Sequence, residues 1–306
     1  MKYLYTFNHH FMEKALCDME MRALFGKDYQ ESFVHDKAID PSSSPFLRNR
    51  LNLELRADNF EDLLILIENQ AIVISDFKVV SLNDQDKNKK RYTEKAIGLR
   101  IHGFPNFKSP SIVYGLVEYN DQWYFGRLLS NDSHWRKHKQ KPYSYSSSLD
   151  IHLAKALVNI AGQGIYDRKL IDPCCGVGTV LLEGHHSGYD IEGLEILPKV
   201  AEKAIANLAY YNYDVKVSIG DIGRLNNTYD ACIVDLPYGI STHTKDEVID
   251  KIIYDASRLS NRVVYVSTEP IEEKLSENMA LVDSCLISKG KDYRFKRYVC
   301  LCEKNL

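Results

Sequence analysis

Residues 170–184, LIDPCCGVGTVLLEG, constrain the fold of this chain more than any other stretch. A short apolar run ends at Asp172, a turn of small residues carries Gly176 and Gly178, and residues 179–183 continue in helix-compatible residues. A strand, a glycine turn and a helix start are thereby predicted, the arrangement by which an open α/β sheet holds a nucleoside-type ligand. Glycines let the backbone come close to such a ligand because no Cβ intervenes. The helix that follows brings free N–H groups and a positive dipole end.

Asp172 narrows the ligand. A dinucleotide would set a pyrophosphate against the turn, where a carboxylate repels it. The third glycine of a G-x-G-x-x-G pattern is also replaced, by Leu181. A cationic, phosphate-free ligand fits better, and S-adenosylmethionine, a sulfonium, is of that kind. A lone G-x-G also describes an ordinary turn, so the downstream sequence has to decide.

Downstream, strands at 170–171, 190–194, 215–219, 231–234 and 262–267 alternate with helices centred near Leu182, Ile205 and Ile252. This alternation predicts a parallel sheet. A further helix is expected over 146–160, with Leu149, Leu153, Ala156, Leu157 and Ile160 on one face and Gly162 at its stop. The tail differs: strands at 280–287 and 295–302 are too close for a crossover helix and must pair antiparallel. Two more acids close strands, Glu195 after IEGL and Asp221 after VSIG. Glu195 suits the ribose hydroxyls and Asp221 the adenine amino group, although each also reads as a helix N-cap. Together with Asp172 they put three acids at the carboxyl ends of three successive strands, where ligands bind in such sheets.

Chemistry is best placed on residues 235–239, DLPYG, just after the strand at 231–234. Methyl transfer to an exocyclic amine requires its lone pair, which is delocalised into the ring. Asp235 and the carbonyl of Leu236 or Pro237 are acceptors able to grip the two N–H bonds and favour a tetrahedral, increasingly positive nitrogen. Proline stiffens the turn, and Tyr238 offers a face for a planar base.

The first half reads as α+β: a strand at 3–7, a helix with Ala15, Leu16, Met19 and Leu24, a loop at 36–50, a strand at 51–55, an amphipathic helix at 58–70 capped by Asp58 or Asn59, and a strand at 71–80. Residues 83–95 are expected as an exposed loop. Alternation at 99–102, 112–118 and 122–129 predicts antiparallel strands with a turn at Asn120–Asp121. The domain boundary is expected at 140/141, with a smaller N-terminal α+β domain at 1–140 and the catalytic domain at 141–306.

The net charge of −3 excludes a globally cationic nucleic-acid binder, yet basic residues bunch at 87–91, 134–141 and 289–297. Trp135, Tyr293 and Phe295 sit among the last two runs, and their repetition permits a local phosphate-binding face. Seven cysteines without framework spacing suit free thiols in a reducing cytosol. No apolar run approaches the roughly 18 to 20 residues that span a bilayer, and residues 1–21 lack a signal-peptide segment, so a cytoplasmic protein is expected. Cys300, Cys302, His185 and His186 lack partners at zinc spacing, and no metal is expected.

In order along the chain, DPCCGVGTVLLEG, GLEILPK, GD and DLPYG resemble the amino-group methyltransferases with a D/N-P-P-Y motif. The closer resemblance is to the THUMP-type tRNA guanosine N2-methyltransferases, the archaeal position-10 type and its eukaryotic relative. Residues 141–162, KPYSYSSSLDIHLAKALVNIAG, and the strand YFGRLL extend that likeness over about residues 97–302. It implies a Rossmann-like class I methyltransferase fold, a mostly parallel sheet with a C-terminal antiparallel hairpin. It implies S-adenosylmethionine as cofactor, held by Asp172, Gly176, Glu195 and Asp221, with Cys174, Gly178, Thr179, Ile196 and Ile222 beside them and Pro142 and Tyr143 at the border. Asp235, Leu236, Pro237 and Tyr238 would hold the guanine amine, in RNA and by the resemblance in tRNA. Leu236 stands where the family has its first proline, and only about 140 residues precede the catalytic half, so a ferredoxin-like and THUMP RNA-binding piece would be shortened. Adenine N6 in DNA, a glutamine amide in protein, and an RNA-binding module with a vestigial pocket remain open from the motif alone.

Overall fold

The structure, a computed structural model, describes residues 1–82, 86–146, 148–237, 242–289 and 295–305. Backbone contacts divide the chain into two units, one of Met1–Asn8, Gln30–Pro41 and Leu47–Asp132, the other of His9–Tyr29, Ser42–Phe46 and Ser133–Leu306. The division does not fall at 140/141. Residues 9–29 and 42–46 belong with the C-terminal part, because long-range packing rather than chain order holds them there.

The first unit is a single mixed sheet. In spatial order its strands are Phe33–His35, Tyr3–Phe7, Leu47–Asn52, Gln122–Ser130, Ile112–Tyr119, Val73–Ser81 and His102–Pro105, with Leu55–Ala57 also paired to Gln122–Ser130. Asn120 and Asp121, both at positive φ (51° and 57°), make the tight turn between Ile112–Tyr119 and Gln122–Ser130. The helix Phe60–Asn69 is capped by Asn59, whose side chain accepts from the Asp62 N–H at 2.8 Å. It buries Phe60, Leu63, Leu64 and Ile67, the helical spacing of one apolar face. The loop expected at 83–95 is instead largely the helix Lys87–Gly98. Only Thr93 and Ile97 of that helix are buried, too few to reveal a periodicity, and the Asp86 cap with a run of Lys, Arg and Glu sustains it.

The second unit carries the elements labelled from here on: helices α1 (Lys14–Phe25), α2 (Ile151–Gly162), α3 (Thr179–His186), α4 (Pro198–Tyr210) and α5 (Thr242–Leu259), and strands β1 (Lys169–Asp172), β2 (Asp190–Glu195), β3 (Val217–Ile219), β4 (Ala231–Asp235), β5 (Arg262–Ser267), β6 (Met279–Lys289) and β7 (Phe295–Lys304). The sheet order is β3-β2-β1-β4-β5-β7-β6. The first five strands run parallel, and the β6–β7 hairpin joins β5 antiparallel. Ile171, Cys232, Val234, Val263, Tyr265 and Cys300 are among the buried side chains that form the core against α5. All seven cysteines are free thiols. Among the described residues, no helix is long and apolar enough to cross a membrane. Helix α2 begins at Ile151 rather than within the serines, because Asp150 is its cap and accepts from the His152 N–H at 2.9 Å.

Helix α1 packs on α2 and β6. Arg22 donates to both carboxylate oxygens of Asp283 at 2.7 and 2.8 Å, a bidentate pair across 261 residues of chain. Glu20 is fully buried, accepting from Asn159 Nδ2 and from Ser44 Oγ, both at 2.6 Å. Burial pushes its carboxyl up to about 7 from 4.5. A raised carboxyl contributes stability that is complete below the unfolded value of 4.5 and lost as pH rises through about 7. Glu20→Gln keeps an acceptor for Asn159 and cannot ionise. Its unfolding free energy relative to the parent is expected to rise between pH 5 and pH 8, by at most on the order of 3 kcal/mol. Urea unfolding at the two pH values measures this, and a constant difference would rule out Glu20 titration.

Candidate active site

Strands β1 and β4 are parallel neighbours, with Ile171 opposite Cys232, so Asp172 and Asp235 leave the sheet at the same edge. Strand β2 lies on the other side of β1 and ends at Glu195. These three acids and Asp221 line one cavity of about 710 Å³, within the size range of small-molecule sites. Cys174, Gly176, Thr179, Ile196, Ile222, Leu236 and Pro237 also line it. The structure thus brings together eleven of the fifteen residues singled out in the sequence.

The glycine turn explains itself locally. Gly176 sits at φ +54° with open space where a Cβ would point, so the cavity reaches the backbone there. Gly178, at φ +81°, does not line the cavity. A Cβ on it would meet Ala204 of α4 at 3.3 Å, so its smallness serves the packing of α3 on α4 rather than a ligand.

Asp172 is buried and accepts from the Cys174 N–H at 3.2 Å. Burial pushes its carboxyl well above the usual range, and the nearby charges of Asp235 and Glu195 push it the same way. Glu195 accepts from the Gly176 N–H at 3.0 Å through one oxygen and from the Leu197 N–H at 2.9 Å through the other. It therefore ties the glycine turn to the turn after β2, and each oxygen has a second lone pair. Asp221 caps the short turn after it, accepting from the Gly223 N–H at 2.8 Å, and its second oxygen accepts from Lys251 Nζ of α5 at 2.8 Å. The Lys251 hydrogen bond, followed by that of Gly223, holds its carboxyl below the usual range.

At the β4 end, the Leu236 N–H donates to the Val266 carbonyl at 2.9 Å and continues the ladder to β5. A proline at 236 would lack that N–H, so leucine here permits a hydrogen bond that proline could not make. Tyr238 lies outside the described residues.

Pro142 and Tyr143, expected at the cofactor's border, are exposed and do not line the cavity. Asn207 on α4 holds Tyr143 at both ends of its peptide, accepting from its N–H and donating to its carbonyl, each at 2.9 Å. That clamp keeps residue 143 along α4, and among the described residues of this segment Tyr145, Ser148 and Leu149 line the cavity. Sequence reasoning missed those three, as well as Lys251 and Ile252 on α5. The serine-rich stretch was a signal for the first group. Nothing local marks the second, because α5 is brought to the cavity by the sheet.

The basic run at 134–141 is also more than a surface segment. Trp135 and His138 are fully buried, and His138 Nδ1 lies 2.7 Å from Glu183 Oε1 of α3, with Lys155 of α2 at 3.4 Å from Oε2. Two of the three basic runs' aromatics, Tyr293 and the Phe295 side chain, lie outside the described residues.

A family model described as UPF0020, RMKL-like, methyltransferase domain, matches residues 138–267. The tRNA (guanine(10)-N2)-dimethyltransferase of Methanothermobacter thermautotrophicus is 32% identical over 174 residues, 53% of this chain and 51% of that protein. The probable tRNA (guanine(10)-N2)-dimethyltransferase of Methanothermococcus thermolithotrophicus is 32% identical over 132 residues, 39% of this chain and 81% of that relative. This chain belongs to the tRNA (guanine-N2)-methyltransferase family. The chain spans about half the length of the first of these relatives. In fold, this family member is similar to TrmN from Thermus thermophilus, at a TM-score of 0.50 and 18% identity with both chains covered in full. The match over 138–267 contains every acid at the cavity.

Proposed function

We propose that the chain is an S-adenosylmethionine-dependent methyltransferase acting on the exocyclic N2 of a guanosine in RNA, with tRNA as the RNA. One observation carries the reading: Asp172 and Asp235, from adjacent strand ends, border the same acid-lined cavity. The cavity suits a cationic cofactor, since a positive charge beside Asp172 would relieve the cost of ionising a buried carboxyl. Asp172, Glu195 and Asp221 would hold it, with Gly176 giving close backbone approach. When bound, S-adenosylmethionine supplies an electrophilic methyl group.

Asp235 accepts one N–H of the guanine amine, and the Leu236 or Pro237 carbonyl accepts the other. Held this way, the nitrogen lone pair turns out of the ring and toward the cofactor, and positioning supplies most of the rate. Asp235 need not remove a proton before transfer. The base has to leave its stack to enter. In this reading the first unit serves as the RNA-contacting piece.

Incubating tRNA with the full chain and methyl-labelled cofactor, followed by nucleoside mass spectrometry, is expected to place label in N2-methylguanosine. Label in DNA adenine or protein glutamine under the same conditions, with none in RNA, would replace this reading. Absence of cofactor binding would favour a vestigial pocket.

A further inference from the structure

Helix α4 carries a surface strip that its cavity-facing residues do not use. Residues 203, 207 and 211 are spaced by four and so share one helix face, with 211 just past the end. They contact the 137–145 segment in reverse order. Lys203 Nζ donates to the Tyr145 hydroxyl at 2.5 Å, Asn207 clamps the Tyr143 peptide, and the Tyr211 hydroxyl donates to the Lys137 carbonyl at 2.7 Å. The segment therefore runs antiparallel along α4 and ends at Tyr145, which lines the cavity.

Lys137 and Lys203 lie over the tyrosine rings of this seam, while Arg136 and Lys139, from the same short stretch as Lys137, lie near His152 of α2, whose other charged neighbours are Glu13 and Asp150. Arg136, Lys137, Lys139 and Lys199 are exposed, and Lys203 is half-buried. Exposed acids on the same helix and its following turn are Glu202 and Asp214. None of the five cations is in an ion pair with the described residues, in a chain whose net charge is −3. Tyr143 and Tyr145 are 43% and 41% exposed, with Lys203 Nζ 6.0 and 4.8 Å from their ring centroids. Farther along, Lys137 Nζ lies 5.6 and 5.7 Å from the Tyr211 and Tyr213 rings. Lys141 is left out, since burial lowers the pKa of its ammonium.

Arg136, Lys137 and Lys139 put three cations into four residues, and a polyanion that replaces their counterions relieves their mutual repulsion. Exposed tyrosines gain from stacking bases, which a duplex does not present. We propose that this strip binds a single-stranded segment of RNA beside the modified nucleotide. Phosphates follow Arg136, Lys137 and Lys139, and an unstacked neighbouring base lies on Tyr143, two residues before the cavity-lining Tyr145. The inference rests on RNA as substrate, and it names the route by which that RNA reaches the cavity.

The test is fluorescence anisotropy with labelled tRNA and a labelled single-stranded RNA, using the full chain. Arg136→Gln/Lys137→Gln/Lys139→Gln is expected to weaken RNA binding about tenfold or more near physiological salt. The slope of log K against log salt should become shallower by about 2, since each single-strand phosphate contact contributes about 0.7. S-adenosylmethionine affinity should be unchanged, because none of the three residues lines the cavity. Tyr143→Ala is expected to weaken binding about tenfold, with Tyr143→Phe near the parent, as stacking requires. An unaltered affinity and salt slope in the triple variant, equal affinity for duplex RNA, or no RNA binding by the parent would each overturn the assignment. Binding as expected without label in any nucleoside would instead refute methyl transfer and leave the strip standing.

Discussion

Asp235→Ala is expected to keep cofactor affinity within a few-fold of the parent and to lose methyl transfer by on the order of 10² to 10³, the range seen when one preorganised hydrogen-bonding partner is removed from a reacting centre. Asp235 ends β4 at the turn that Leu236 anchors to Val266, so the side chain can be shortened without moving the backbone. Two electrostatic effects on the cofactor oppose each other. Removing one negative charge weakens attraction for a cation. The same removal eases ionisation of Asp172, whose carboxyl Asp235 helps push up. Calorimetric cofactor titration beside single-turnover transfer separates binding from chemistry, and Asp235→Asn, retaining one acceptor oxygen, should fall between. Undiminished transfer in the alanine variant would remove Asp235 from the reaction.

The second large effect is on Asp172. Burial first, then Asp235 and Glu195, raise its carboxyl above the ordinary 3.8, so the free protein holds a proton there over a range in which the unfolded chain has lost it. Its contribution to stability is complete below 3.8 and declines as pH rises through the raised value. A bound sulfonium favours the ionised form, so cofactor binding should release a proton and tighten with rising pH until Asp172 is ionised in the free protein. Calorimetry in two buffers of different ionisation enthalpy detects that proton. Asp172→Asn should lose both the release and the pH dependence, with affinity lower by about tenfold to a hundredfold, roughly 1–3 kcal/mol. The thioether product, without the sulfonium charge, should show a weaker pH dependence in the parent. Equal proton release by Asp172→Asn would assign the effect to another group.

Much of the second unit was legible because its elements declare themselves locally. The run into Asp172 with its turn at Gly176 and Gly178, the strand that ends at Glu195 and the strand that ends at Asp235 are each short local patterns. The antiparallel tail followed from the shortness of its connection. Helix Lys87–Gly98 was not legible, because two buried side chains leave no apolar stripe to read. Trp135 and His138 read as part of a basic surface run, yet a fold with Glu183 and Lys155 waiting beneath it buries both. Gly178 and Gly176 look alike in sequence, and only Ala204 distinguishes a packing glycine from a ligand-facing one.

By itself the sequence determined the order of strands and helices in the C-terminal part and the acids that end its strands, since strand periodicity and turn chemistry act over a few residues. Tertiary structure alone decided that α1 joins that part, that Tyr145 rather than Tyr143 reaches the cavity, and that Lys251 answers Asp221. Those outcomes depend on contacts between segments 30 to 261 residues apart, such as Lys251 with Asp221 and Arg22 with Asp283. Burial and pairing across that distance are set by the packed sheet, and no local pattern encodes them.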